Sequence, residues 1–336
     1  MSAKTTMALN KRERLERTLA GEATDRVPVA LWRHFPGDDQ RPSELAESIV
    51  AFQRQYDWDF VKVTPASSFC IADYGVQDRW VGSLEGTREY IRRVVARSLD
   101  WTDLRVLDPT KGQLSRQLET LELLKNALGD EVPFIQTIFS PLAQAKNISG
   151  GDLLLKHMRT APDRLKTGLN TITESTLRFM DAIRRSGISG IFYAVQHATY
   201  ALMSEAEYRE FGRPYDLHIL EAINKDWWFN MLHLHGDAPM FDLVADYPVQ
   251  AINWHDRETE PDLPSGKLKF QGVVCGGLGR WDPMHNGSSA EVRSQARDAI
   301  EKTNGRRFLL STGCVTLITS PLSNIRAVRD AVDSPG

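Results

Sequence analysis

Short apolar runs rich in β-branched residues alternate with longer stretches whose apolar positions recur at helical spacing, throughout the chain. This alternation predicts repeated strand–helix units around a buried parallel sheet. Eight runs read as strands: Val27–Trp32, Trp58–Thr64, Pro133–Phe139, Ile188–Val195, Trp228–His233, Val249–Trp254, Leu268–Val274 and Arg307–Ser311. Helical patterns fall near Ser43–Gln55, Leu114–Leu128, Pro162–Ser186, Ser204–Asp226, Asp237–Ala245, Ser288–Thr303 and Pro321–Val332. Every strand but the sixth is followed by one, Pro261 and Pro264 leaving room there for little more than a loop. The expected fold is α/β, a single (β/α)8 TIM barrel over residues 1–336, with Asn10–Leu19 as an additional N-terminal helix. The long link from Ala66 to Asp108 is expected to hold a hairpin around Asp78–Arg93. Ser204 with Glu207 forms a capping box, and Ser320 ahead of Pro321 reads as a second helix start.

Bulk properties narrow the function classes. With 336 residues, 25% charged and net charge −3, the chain shows no basic block for nucleic acid or anionic membranes. No run approaches the roughly 20 apolar residues of a membrane span, and Met1–Arg12 lacks the apolar core of a secretory signal; a cytoplasmic location is expected. Three scattered cysteines, Cys70, Cys275 and Cys314, make no disulfide framework.

Unusual polar residues gather where predicted strands end, the face on which barrels of this kind carry their chemistry. Arg33 and His34 follow the first strand, Gln196 and His197 the fourth, and His233 with His235 close the fifth. His255 and Asp256 follow the sixth, Gln271 lies in the end of the seventh, and Cys314 follows the eighth. Side chains two apart on a strand share a face, so His233 and His235 close on one ion together. With the Cys314 thiolate they form a set suited to zinc, three protein ligands leaving one position open. Gly313 is expected to let the chain turn and present the sulfur, Asp256 to orient a metal-bound imidazole, and Cys275, in a glycine-rich turn, to serve as a reserve ligand. His157 is expected on the surface.

The opening Arg12-Glu13-Arg14-Leu15, the run Leu19–Val29, Tyr56–Val63, Ser140-Pro141-Leu142, Gly313-Cys314 and Ser320–Ile325 together resemble the uroporphyrinogen decarboxylase superfamily over nearly the whole chain. The resemblance implies one of two chemistries. True decarboxylases hold a tetrapyrrole with arginines of an Arg-Gln-Ala-Gly-Arg motif and an aspartate in the cleft, without metal or cofactor. Here that motif reads Arg33-His34-Phe35-Pro36-Gly37, so the second arginine is glycine, with Asp38 and Asp39 following. Each lost charged hydrogen bond to a substrate of eight carboxylates costs about 1.5–3 kcal/mol, which disfavours that substrate. Asp73 falls where the cleft aspartate would stand.

The thiol methyltransferase branch binds zinc through His-x-Cys and a later cysteine, and moves a methyl group from a corrinoid protein to a thiol. This chain offers His233-Leu234-His235 and Cys314, closer to that branch with one thiolate replaced by imidazole. The resemblance thus implies a zinc-dependent methyl or alkyl transferase. Its metal would be held by His233, His235 and Cys314, its catalytic residues would be His255, Asp256 and His197, and Arg33, His34, Asp73, Gln196 and Gln271 would contact substrate. The acceptor stays open among thiol, water and alkoxide. A corrinoid protein partner and a homodimer are expected by the same resemblance. A cofactor-free decarboxylase of a smaller acid and a tetrapyrrole- or corrinoid-binding protein are the alternatives.

Overall fold

A computed structural model describes residues 8–333; the chain ends at 1–7 and 334–336, including the start of the segment read above for a secretory signal, lie outside it. Nine strands run in chain order as β1 Val61–Val63, β2 Gln77–Arg79, β3 Glu89–Arg92, β4 Phe134–Phe139, β5 Gly190–Val195, β6 Met231–Leu234, β7 Ala251–Trp254, β8 Val273–Leu278 and β9 Phe308–Thr312. Seven of them form one parallel sheet ordered β1-β4-β5-β6-β7-β8-β9, so each strand pairs with the next around a curled, TIM-barrel-like wall. Strands β2 and β3 make the separate antiparallel hairpin in the long second link.

The helices are α1 Lys11–Ala20, α2 Pro42–Tyr56, α3 Gly112–Leu128, α4 Pro141–Ser149, α5 Gly151–Thr160, α6 Pro162–Ala182, α7 Glu205–Phe211, α8 Arg213–Glu221, α9 Phe241–Val244, α10 Leu263–Lys269, α11 Ser289–Thr303 and α12 Leu322–Asp330. The local sequence sets their ends. Asn10 and Glu13 exchange capping-box bonds at the start of α1, and Gly21 at φ 80° closes it in the left-handed region. Ser204 and Glu207 do the same for α7.

The first expected strand is not one: between 27 and 32 only Val29 bridges, to Leu310. Segment 28–30 nevertheless lies between the sheet's two edges. Leu310 donates to the Pro28 carbonyl and receives from Ala30, while Asp59 N–H donates to Val29. Pro28 has no amide proton for a regular ladder, which explains the broken pairing. The sixth link holds a helix after all. Asp262 caps α10 and Pro264 sits in its first turn, where a missing N–H costs nothing, so the prolines that argued for a loop start a helix. The seventh strand accordingly begins at Val273 instead of Leu268, a shift with consequences for Gln271. Between 204 and 226 the helix breaks at Gly212, because Pro214 cannot supply the next backbone bond. The helical stretch 237–245 shrinks to α9. Ser320 caps nothing: Pro321 stays extended, α12 starts at Leu322, and the Ser320 hydroxyl is buried without a partner.

Two buried polar clusters stiffen the frame. Asp59, fully buried, takes ion pairs from Arg14 and Arg26 and the N–H of Val29. Asp216 accepts hydroxyl protons from Tyr193, Tyr208 and Tyr247, tying α8 to β5 and α7. Burial raises its carboxyl to about 6, against the three hydroxyl donors.

Candidate metal centre

The carboxyl ends of β6, β7 and β9 bring His233, His235, His255 and Cys314 to one point. One donor atom from each lies within 4.8 Å of the other three. The Cys314 Sγ is 3.7 Å from His233 Nε2 and 3.8 Å from His235 Nδ1, and His255 Nε2 is 3.2 Å from His235 Nδ1. Around a tetrahedral zinc ion, with Zn–N of about 2.0 Å and Zn–S of about 2.3 Å, neighbouring donors sit roughly 3.3–3.6 Å apart. These three spacings lie close to that range, and imidazole and thiolate are the donor types zinc takes.

Each donor is oriented by a partner. His233 Nδ1 lies 2.7 Å from Asn253 Oδ1, while Asn253 Nδ2 donates to the carbonyls of Cys275 and Thr312. With both amide protons directed to the sheet, the Asn253 oxygen must face the imidazole, so Nδ1 carries the proton and Nε2 faces Cys314 unprotonated. On the other side His255 Nδ1 lies 3.1 Å from Glu258 Oε2, and the other Glu258 oxygen lies 3.4 Å from Arg280 Nε. Gly313 belongs here for close approach and not for a left-handed turn: a Cβ would sit 2.6 Å from the Trp254 oxygen and 2.7 Å from His255 Cα. Only glycine lets β9 end against the His255 backbone and deliver Cys314.

The charges agree with a cation site. Burial alone would raise the Cys314 thiol, but His233, with His235 and His255, holds it well below its ordinary value. Burial lowers His233. It disfavours the charged form of His255 too, yet Cys314 and Glu258 outweigh it and raise His255 to about 9.

The cluster opens on a cavity of about 550 Å³, within the range of roughly 300–1,000 Å³ of small-molecule sites. His34 and Gln196 line it, as expected of substrate contacts. His197 is buried and does not line it; burial lowers it to about 3, so it takes up no second proton near neutrality, and its Nδ1 has no partner. A larger cleft of about 1230 Å³ lies where the strands begin, between Arg12, Arg26, Asp57 and Arg329. Several of its charges are paired, Lys11 and Arg329 with Asp57 and Arg14 with Asp25, and among the described residues it holds no His/Cys/Asp/Glu group spaced for a metal.

Several expected site residues fall elsewhere. Arg33 faces away from the cavity, its guanidinium over Phe35 and Phe52, because Trp32 and His34 on either side take the inward positions of an extended segment. Asp73 accepts the N–H groups of Gln113 and Leu114 and so caps α3. Gln271 precedes β8 at the opposite end of the barrel, exposed, its carbonyl taken by Arg307. Asp256 does not orient His255: both its oxygens accept the Gly277 N–H, and burial raises its carboxyl to about 7. Cys275 lies inside β8, fully buried, its thiol pushed up by burial, and is no reserve ligand. His157 is buried, accepting the Trp101 indole proton at 3.0 Å.

Other residues of the site were not singled out from sequence. Lys62, on β1, is 8% exposed, lines the cavity, and is lowered to about 7 by burial against the pull of Cys314. Its position two before Thr64 in an otherwise apolar run was the available signal. Asn253, on β7 two before His255, and Glu258, three after it, are legible as spacings.

The family model "Uroporphyrinogen decarboxylase (URO-D)" matches residues 10–335. The chain is 21% identical over 337 aligned residues to the methylcobamide:CoM methyltransferase MtbA of Methanosarcina acetivorans, covering 94% of this chain and 95% of that one. It is 23% identical to a uroporphyrinogen decarboxylase of Christiangramia forsetii, over 66% of this chain and 64% of that one. A solved methyltransferase from Methanosarcina mazei superposes with a TM-score of 0.84 at 18% identity, covering 97% and 98% of the two chains.

Proposed function

This chain belongs to the uroporphyrinogen decarboxylase (URO-D) family, and within it we propose that the protein is an enzyme of the transferase class, a zinc-dependent methyl or alkyl transferase acting on a thiol. The observation that carries the reading is the convergence of His233, His235, His255 and Cys314 beside a small-molecule cavity. The full-length similarity to methyltransferases supports it. So does the position of Arg33, which removes the one surviving arginine of the decarboxylase motif from the cavity. All four donors aim at one point instead of leaving a single imidazole for a flat macrocycle, which weighs against a tetrapyrrole-binding role.

His233, His235 and Cys314 would hold the zinc, with His255 as the fourth donor. When bound, the ion acidifies the substrate thiol and keeps it nucleophilic at neutral pH. The protein's own groups do the rest. Asn253 and Glu258 hold two imidazoles in the tautomer and tilt the ion needs. Phe192, stacked on His233 at 5.2 Å, walls the reacting atom off from bulk water. The sulfur–carbon bond forms as the donor's bond to the same carbon breaks, its electron pair staying with the donor, while the thiol proton leaves through the cavity. A corrinoid on a partner protein is the proposed donor. A cavity of 550 Å³ admits the thiol but not the whole macrocycle, which would approach across the rim.

Metal analysis of the purified protein, followed by methylcobalamin with a panel of small thiols, tests this. One zinc per chain and cobalamin demethylation that requires both thiol and metal are expected. Zinc-free protein that turns over a carboxylic acid would overturn it.

A further inference from the structure

The β2–β3 hairpin lines two cavities. Glu85, Arg88 and Tyr90 line the one beside the metal cluster, while Gln77, Asp78 and Ile91 line a second, of about 320 Å³, shared with α2 and α3. That volume lies at the small end of ligand sites. Its buried charges do not balance. The side chains of Asp39 and Asp78 are 0% and 8% exposed, and a single guanidinium, that of Arg88, serves both. Arg88 donates to Asp39 at 2.7 Å but stands 3.5 Å from Asp78 Oδ1, too far for a strong hydrogen bond, and Asp78 Oδ2 has no hydrogen-bond partner. Two buried carboxylates against one buried cation leave a surplus negative charge. The other charged residues of the lining, Arg41 and Arg116, are exposed at the rim, Arg41 on Glu44. From water they offset little of the cost of a buried carboxylate oxygen that no donor meets.

We propose that this cavity is a second binding site, for a primary alkylammonium compound, with the ammonium on the Asp78 carboxylate and the alkyl chain against Leu45, Phe69 and Val76. Charge selects a cation, and the lining selects its kind. Among the described residues Asp39 and Asp78 belong to no group spaced for a metal ion, so the cation they suit is monovalent. A primary ammonium brings three N–H donors and makes a charge-assisted bond to a carboxylate, and the buried Ser68 and Gln117 offer further oxygen acceptors in the same wall. Leu45, Phe69 and Val76 are buried hydrocarbon, which an alkyl chain covers at a gain and a hydrated inorganic cation does not. None of the four donors of the metal cluster lines this cavity, so the site stands apart from the transferase reading.

The test is titration calorimetry on the full-length protein as purified, at fixed ionic strength, with butylammonium against butanol and tetramethylammonium. Butylammonium binds once per chain; butanol, which lacks the charge, and tetramethylammonium, which lacks an N–H donor, do not. Asp78→Asn weakens butylammonium by about 10- to 100-fold, the loss of one charge-assisted bond. Ala72→Leu, which narrows the cavity and leaves both carboxylates in place, weakens it as well, and carries the test should the asparagine variant fail to fold. Absence of binding, equal binding of butylammonium and tetramethylammonium, or an affinity indifferent to both substitutions overturns the proposal.

Discussion

Glu258 grips His255 from behind: its Oε2 lies 3.1 Å from His255 Nδ1, leaving Nε2 turned toward His235 and Cys314. Arg280 holds the other oxygen of the same carboxylate and reaches across to Glu85 near the hairpin. Glu258→Gln should therefore lower zinc affinity about 10- to 100-fold with little change in fold. His255→Ala should lose the fourth donor but retain a three-ligand site. Competition with a metallochromic chelator measures both, and unchanged affinity in both variants would remove His255 from the centre.

Gly313→Ala places a methyl against the backbone of Trp254 and His255, so the strand end must retreat and take Cys314 with it. The expected result is zinc content reduced at least as far as in Cys314→Ala, with far-ultraviolet circular dichroism close to the parent. Full zinc occupancy in Gly313→Ala would show that the contact yields without moving the sulfur.

His157→Ala should leave zinc stoichiometry untouched and destabilise the protein by about 2–4 kcal/mol, since it opens a cavity and strips the Trp101 indole of its acceptor. Urea unfolding followed by tryptophan fluorescence reads it. Wild-type stability would place the imidazole in solvent.

Asp216 gives a pH dependence of defined sign. Its folded value, about 6, lies above the ordinary 3.8, so between pH 4 and 6 the folded state keeps a proton that the unfolded state releases. Stability from this group is full below pH 4, falls as pH rises to 6, and is flat above, the whole change being on the order of 3 kcal/mol. The fall should be absent in Asp216→Asn and so appear in full in the wild-type-minus-variant difference in unfolding free energy. A difference constant from pH 4 to 7 would refute it.

The alternation of side chains along a strand made His233 and His235 legible, and Cys314 followed from its place after the last strand. The same alternation separates His34 from Arg33, one facing the cavity and the other the aromatic layer of Phe35 and Phe52. Reading both as substrate contacts ignored it. Gln271 and Cys275 share one cause: Pro261 and Pro264 read as a loop, but Pro264 opens α10 and the strand begins at Val273, five residues after Leu268. Asp256 reads as the orienter of His255 by adjacency, but neighbours in an extended segment point apart, and Glu258, three residues on, is the group that meets the imidazole. Lys62 was hidden for a different reason: a lysine in a strand reads as a solvated edge, and only the three-dimensional wall shows that it has no solvent and no counter-charge.

Asn253 joins three strands in one side chain, donating to carbonyls of β8 and of the β9 end while its oxygen meets the imidazole on β6. Sheet register and the electronic state of His233 are thereby a single variable. A slip of one strand past its neighbour would turn the amide over and offer the imidazole the wrong lone pair. Loosening of the barrel would show first as altered metal preference, well before the chain unfolds.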